Sequence, residues 1–157
     1  MLASAIQASE RDGSLLTVCC VDLDHFKPVN DQFGHAVAGR LLVGLANRLR
    51  RGLRGHVEAP DSVARLGGDE FVLPIRPATI QESRHGVDRV LRSLARPYKL
   101  GISIGSGIGI GICVITITAS SGATTFPINH ADADTLLRHA DHAIYAAKQS
   151  GRNGKLF

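Results

Sequence analysis

A chain of 157 residues and 16.7 kDa, with 44% hydrophobic and 20% charged residues, fits one domain around a single core and argues against a disordered or low-complexity segment. The net charge of +4 permits an anionic ligand. Much of the excess, however, sits in NRLRRGLRGH, residues 47–56, which has no aromatic residue for base stacking and reads as the solvated end of a helix, so a nucleic-acid partner is not expected. Cys19, Cys20 and Cys113 show no metal spacing. With no signal-peptide pattern at the start, reduced, buried thiols in a cytoplasmic domain are expected, whether or not the full-length protein is membrane-attached.

In chain order, residues 2–10 read as the end of a helix that Asp12-Gly13 breaks. LLTVCCVDL, residues 15–23, is a β-rich apolar run expected to form a central strand, with Asp22 and Asp24 at its C-terminal end. Residues 25–32 fit a short helix or a turn, and Val37, Leu41, Leu42, Leu45 and Leu49 then recur at helical spacing. ARLGGDEFVLPI, residues 64–75, sets Gly67, Gly68, Asp69 and Glu70 between two apolar runs, as in a hairpin with its turn at a rim. A helix is expected from Thr79 to Ala95, capped by Thr79 and stopped by Pro97.

GISIGSGIGIGICVITITA, residues 101–119, carries no charge and is almost long enough to span a bilayer, with GxxxG spacings. Its β-branched residues alternate with a period of two, so it reads as a hairpin turning at Gly105-Ser106-Gly107. A last helix carries Leu136, Leu137, Ala140, Ile144 and Ala147 in register and stops at Gly151, with His139 and His142 read as surface residues. Hairpins among alternating helices and strands predict an α+β fold: a mixed, largely antiparallel central sheet with helices on its faces.

If the strand ending at Asp22 and the hairpin carrying Asp69 are neighbours, two carboxylates converge at one rim. Such hard oxygen ligands suit Mg²⁺, which takes one or two carboxylates and completes its shell with phosphate oxygens. Lys27 and Asn30 are near enough in sequence to meet phosphate and a base or sugar.

RLGGDEF, with DLDHFKPVNDQFGH upstream and ADHAIYAAKQSGRN downstream, resembles the GGDEF family of diguanylate cyclases, three motifs in the family's order over almost the whole chain. The resemblance implies a palm-like fold related to nucleotidyl cyclases, and a reaction that joins two GTP molecules into cyclic di-GMP with release of pyrophosphate. Each protomer of a homodimer would hold one GTP. It further implies that Asp22, Asp69 and the Leu23 carbonyl hold Mg²⁺ (or Mn²⁺), and that Glu70 is the base for the attacking hydroxyl or an additional metal ligand. Lys27, Lys148 and Arg152 fall on phosphate-binding positions, and Asn30 on a guanine contact. Phe26 and His25 would lend loop backbone over the phosphates, and Gly67 and Gly68 would let the triphosphate approach.

Three departures from the family pattern stand out. GHxxGDxxL here reads GHAVAGRLL, so Ala38 replaces a glycine and Gly39 the aspartate that contacts guanine. The inhibitory RxxD reads Glu58-Ala59-Pro60-Asp61, and glutamate cannot offer a guanidinium fork to phosphate. The family's SIG strand end reads Ser120-Ser121-Gly122. A DxLTGLxNR segment is also missing before the first helix. The expectation is therefore one GGDEF domain, residues 1–157, cut from a longer multidomain signalling protein with a fused sensor or phosphodiesterase-type domain. Two readings stay open: an active cyclase, or a degenerate domain that binds nucleotide and regulates a neighbour.

Overall fold

The computed structural model describes residues 2–53, 63–104, 109–128 and 132–156. In chain order these form α1 (Leu2–Asp12), β1 (Leu16–Leu23), α2 (Phe26–Gly52), β2 (Ala64–Gly67), β3 (Glu70–Ile75), α3 (Ile80–Leu94), β4 (Tyr98–Ile104), β5 (Gly109–Ile115), β6 (Ala119–Phe126), α4 (Ala133–Gln149) and β7 (Lys155–Leu156). The main sheet has the order β2-β3-β1-β6-β7, antiparallel except for the parallel β6–β7 pair. The α+β expectation holds.

β1 lies in the middle of this sheet and is buried along its whole length, as an unbroken apolar run requires. Side chains alternate between the two faces of a strand. Cys19, Val21 and Leu23 join the core formed by Leu41, Leu45 and Leu49 of α2 with Val87, Val90 and Leu94 of α3. Val18 and Cys20 pack with Leu136, Ala140 and Ile144 of α4 and Ile6 of α1. Asp22 has the parity of Val18 and Cys20, so it emerges on the α4 side.

Of residues 25–32, open between helix and turn in the sequence, 26–32 are helical, and α2 kinks where they meet the following segment. Gly34 sits at φ 78°, ψ 164°, a conformation essentially restricted to glycine. α3 is capped as expected: Thr79 Oγ1 accepts from Glu82 N at 3.1 Å, while Glu82 Oε2 accepts from Ala78 N at 2.8 Å.

Three expectations need correction. The segment 47–56 is not uniformly solvated in its described part. Arg48 reaches across to the C-terminus of α3, donating to the carbonyls of Ser93 (3.0 Å) and Pro97 (2.5 Å), with its guanidinium 3.5 Å above the Tyr98 ring. It adds a donor to the Ser93 carbonyl at the helix end, which Arg96 N also reaches, and to the Pro97 carbonyl beyond it. The Ile/Gly hairpin is present as β4 and β5, but it forms a separate two-stranded sheet, not part of the main one. Its outward row includes Ile112 and Val114, at 73% and 57% exposure; the turn at 105–107 lies outside the described residues. Cys113 is only half-buried, whereas Cys19 and Cys20 are buried as expected, and all three thiols are free.

β6, ASSGATTF, is an element that periodicity alone does not reveal, because it is built from small and polar residues. The packing explains its composition. A Cβ on Gly122 would lie 1.9 Å from the Ala140 carbonyl oxygen and 2.6 Å from Ile144 N, so α4 rests directly on this strand. Among the described residues no helix is long and apolar enough to cross a membrane.

Candidate functional site

Four segments meet at the C-terminal end of β1: the β2–β3 turn, the start of α2, the last turn of α4 and the loop after it. Asp22 pairs directly with Glu70 across the β1–β3 ladder and with Ser120 on the other side. The neighbour relation that the sequence left conditional is therefore present. Asp69 stands in the intervening turn, where Gly68 takes φ +50° and a bulge shifts the register between Arg65 and Gly67. Arg65 pins this turn with two hydrogen bonds to the Gly68 carbonyl, from Nε at 2.8 Å and Nη2 at 2.5 Å. A Cβ at Gly67 or Gly68 would meet nothing within 4 Å, so the turn's outer side is open.

Lys148 comes from the last turn of α4, and its ammonium lies 2.6 Å from Asp22 Oδ1. Among the described residues this ammonium is the polar partner of the buried Oδ1. Burial raises the Asp22 pKa above the ordinary carboxylate range; Lys148 opposes this, and Asp69 and Asp24 add to it. Glu70 is raised as well, first by burial and then by Asp22, Asp141 and Asp69, again with Lys148 opposing. The site thus concentrates negative charge around one nearby ammonium. Asp141 of α4, to which the sequence assigned no role, is a further contributor, and His139 and His142 near it are exposed as expected. Cys20 is pushed up to about 12 by burial, then by Asp141 and Glu70, which keeps it an inert thiol.

Asp24, two residues beyond Asp22, was left without a role by the sequence. It is buried, accepts hydrogen bonds from Thr118 Oγ1, Ser120 Oγ and Asn153 N, and donates its own N–H to the Thr118 carbonyl. Next to it His25 adopts φ 59° and starts α2. Phe26 is half-buried and packs against the core, and Lys27 is exposed. The first turn of α2 carries no acidic side chain, so nothing in it opposes the positive end of the helix dipole.

Further along α2, Asn30 is half-buried, Ala38 is buried and Gly39 is exposed, and a Cβ at Gly39 would meet nothing within 4 Å. Arg152 and Asn153 take φ 63° and 48° in the loop after α4, with Arg152 exposed. Leu23 is buried as a side chain and pairs with Ala119. Glu58 and Asp61 lie outside the described residues.

Residues 1–154 match the family model described as diguanylate cyclase, GGDEF domain. The chain belongs to the GGDEF family of diguanylate cyclases. It is 35% identical over 156 residues to the bifunctional diguanylate cyclase/cyclic di-GMP phosphodiesterase MucR of Pseudomonas aeruginosa, covering 99% of this chain and 21% of MucR. It is 33% identical to the diguanylate cyclase TpbB of Pseudomonas aeruginosa, covering 98% of this chain and 33% of that protein. The chain thus spans a minor part of these relatives. Among solved structures, the GGDEF domain of YfiN (TpbB) from Pseudomonas aeruginosa superposes with a TM-score of 0.77 at 32% identity, covering 98% of this chain and 88% of that one. The GGDEF domain of DgcB from Caulobacter crescentus, solved in complex with cyclic di-GMP, gives 0.76 at 25% identity, covering 98% and 84%.

Proposed function

We propose that this GGDEF domain is a Mg²⁺-dependent diguanylate cyclase that condenses two GTP molecules into cyclic di-GMP as half of a homodimer, within a longer multidomain signalling protein. The observation that carries this is the direct cross-strand pairing of Asp22 with Glu70, with Asp69 in the adjoining turn and Lys148 2.6 Å from Asp22.

The donor set fits a hard divalent cation. Asp22 is buried with the Lys148 ammonium at Oδ1, and the surrounding carboxylates Asp69, Glu70 and Asp24 leave the site locally negative. Among the described residues no three acidic, histidine or cysteine side chains form a ready cage. Mg²⁺ does not require one, because it is bound by one or two carboxylates plus substrate phosphates. Asp22, Asp69 and the Leu23 carbonyl would hold it, with Mn²⁺ as a substitute and Glu70 as a further ligand if it is not the base. Once bound, the cation neutralises phosphate charge and favours in-line displacement.

The protein's own groups do the rest. Lys27, Lys148 and Arg152 bind phosphate oxygens, and the open Gly67-Gly68 turn and the backbone at His25 and Phe26 leave room for the triphosphate. Glu70, whose raised pKa makes it a better proton acceptor than an ordinary carboxylate, takes the proton of the 3′-hydroxyl. That oxygen forms a bond to the α-phosphorus of the other GTP, and the bond to pyrophosphate breaks. Asn30 reads the base. With Gly39 in place of an aspartate, base selection rests on fewer groups, and with Glu58 beside Asp61 the usual inhibitory site loses its arginine.

A second reading, a degenerate domain that binds nucleotide and regulates a neighbour without turnover, is favoured by Gly39 alone. Incubation of the dimerised protein with GTP and Mg²⁺, followed by chromatography, separates the two. Cyclic di-GMP supports the cyclase; GTP binding without product supports the regulator.

A further inference from the structure

Asp24 is 2% exposed, and among the described residues the donors that reach its carboxylate are neutral: Ser120 Oγ to Oδ1 at 2.8 Å, and Thr118 Oγ1 and Asn153 N to Oδ2 at 2.7 and 3.0 Å. These donors come from the approach to β6, from β6 itself and from the loop after α4. That loop is held at one side by Arg152 N donating to the Ala147 carbonyl (3.2 Å), and at the other by Ser121 N donating to the Gly154 carbonyl (2.9 Å). Between them Arg152 and Asn153 both keep positive φ, a backbone state that non-glycine residues hold only where their surroundings fix it. The contact at the middle of the loop is the one from Asp24.

We propose that Asp24 is a positioning residue: it clamps the Arg152-Asn153 turn to the end of β1, so that Arg152 is presented to phosphates bound beside Asp22. The inference rests on the reading of Arg152 as a phosphate ligand. Asp24 is a poor candidate for a direct ligand, because three donors already occupy its oxygens and it is shielded from solvent. An asparagine could replace it in part, its carbonyl accepting from Asn153 N and Thr118 Oγ1 while its amide donates to the Ser120 hydroxyl.

The test measures calorimetric binding of a non-hydrolysable GTP analogue with Mg²⁺ to wild type, Asp24→Ala, Asp24→Asn, Arg152→Ala and the Asp24→Ala/Arg152→Ala double variant. Amide exchange at Asn153 is followed in parallel. Asp24→Ala should weaken binding about tenfold, the equivalent of one charge-assisted hydrogen bond, and Asp24→Asn should recover most of it. The double variant should bind no more weakly than Arg152→Ala. Additive losses in the double variant would overturn the proposal, because Asp24 would then act independently of Arg152. Asn153 exchange should accelerate in Asp24→Ala while α3 amides keep their protection; unchanged exchange overturns the clamp whatever the ligand does. If the alanine variant does not fold, Asp24→Glu, which keeps the charge and pushes the turn outward, takes its place with the same expectations. Failure of wild type to bind the analogue refutes the reading of Arg152, and the exchange measurement then decides the clamp by itself.

Discussion

Gly122→Ala is the smallest change that should move the whole site. The backbone of Gly122 lies in a regular strand paired with Cys20, so alanine is conformationally acceptable there and would lower unfolded-state entropy, a gain of about 0.4–1 kcal/mol. Against this, the new Cβ would sit 1.9 Å from the Ala140 carbonyl oxygen, 2.6 Å from Ile144 N and 2.8 Å from Ala143 Cβ. Two of these atoms are helix backbone and cannot rotate away. α4 has to retreat by an ångström or more, which places the cost at the upper end of the overpacking range, roughly 3 kcal/mol. The net loss of about 2–3 kcal/mol corresponds to a fall of roughly 5–10 °C in melting temperature for a chain of 157 residues. Because α4 carries Lys148, its ammonium should leave Asp22 and triphosphate affinity should fall too. Gly39→Ala is the control of opposite sign: the same methyl group meets nothing within 4 Å and removes a helix-interior glycine, raising stability by about 0.5–1 kcal/mol. Calorimetric melting of both variants checks the pair. A Gly122→Ala protein that melts at or above wild type would refute the claim that direct helix-on-strand contact sets this position.

Asp69→Asn should abolish Mg²⁺-dependent triphosphate binding while shifting stability by no more than about 0.5 kcal/mol, since a turn residue at a rim contributes little to the core; wild-type binding in the variant would place the site elsewhere. Gly39→Asp should raise the preference for GTP over ATP by about tenfold, one recovered hydrogen bond to guanine donors, as read by calorimetry with both nucleotides. A strong GTP preference already present in wild type and unchanged by the substitution would contradict the alignment at Ala38 and Gly39. Lys148→Met removes the cation that opposes burial at Asp22. A carboxyl raised in the folded state carries stability that is present below the unfolded pKa and lost as pH rises through the folded one. The variant's stability deficit should therefore be larger near neutral pH than at acid pH below the ordinary carboxylate range, by roughly 1–2 kcal/mol after allowance for an ammonium that is about a third exposed. Thermal melts that show the same deficit at both pH values would exclude this origin.

The parts of the fold that were legible in the sequence are those with a strong local signal. β1 is an apolar run, α3 has a threonine cap with glutamate three residues on, and the GGDE turn lies between two apolar strands. What escaped depends on contacts between distant segments. β6 has the composition of a loop because α4 leaves no room for larger side chains over Gly122. Arg48 looks like one arginine in a solvated run, and only the position of α3 makes it a cap for the Ser93 and Pro97 carbonyls. The outward placement of Ile112 and Val114 could not be read either, because strict alternation fixes a period without saying which row faces the core.

Asp22 and Asp24 carry the same limit into the site itself. They are identical residues two positions apart, with the same strand parity, and only the family resemblance, not the local pattern, singles out Asp22 as the group that would meet a ligand. Their neighbours decide. Asp24 has drawn hydroxyls from Thr118 and Ser120 and an amide from Asn153, so its lone pairs are committed to holding three segments together. Asp22 faces Glu70, Ser120 and a single ammonium, under electrostatic pressure from two further carboxylates. A carboxylate in the first setting is stable as it stands, whereas one in the second gains most when a cation arrives. The division of labour between the two therefore follows from which residues β6 and the loop after α4 bring alongside each, and the small side chains of β6 are what allow those segments to come close enough to impose it.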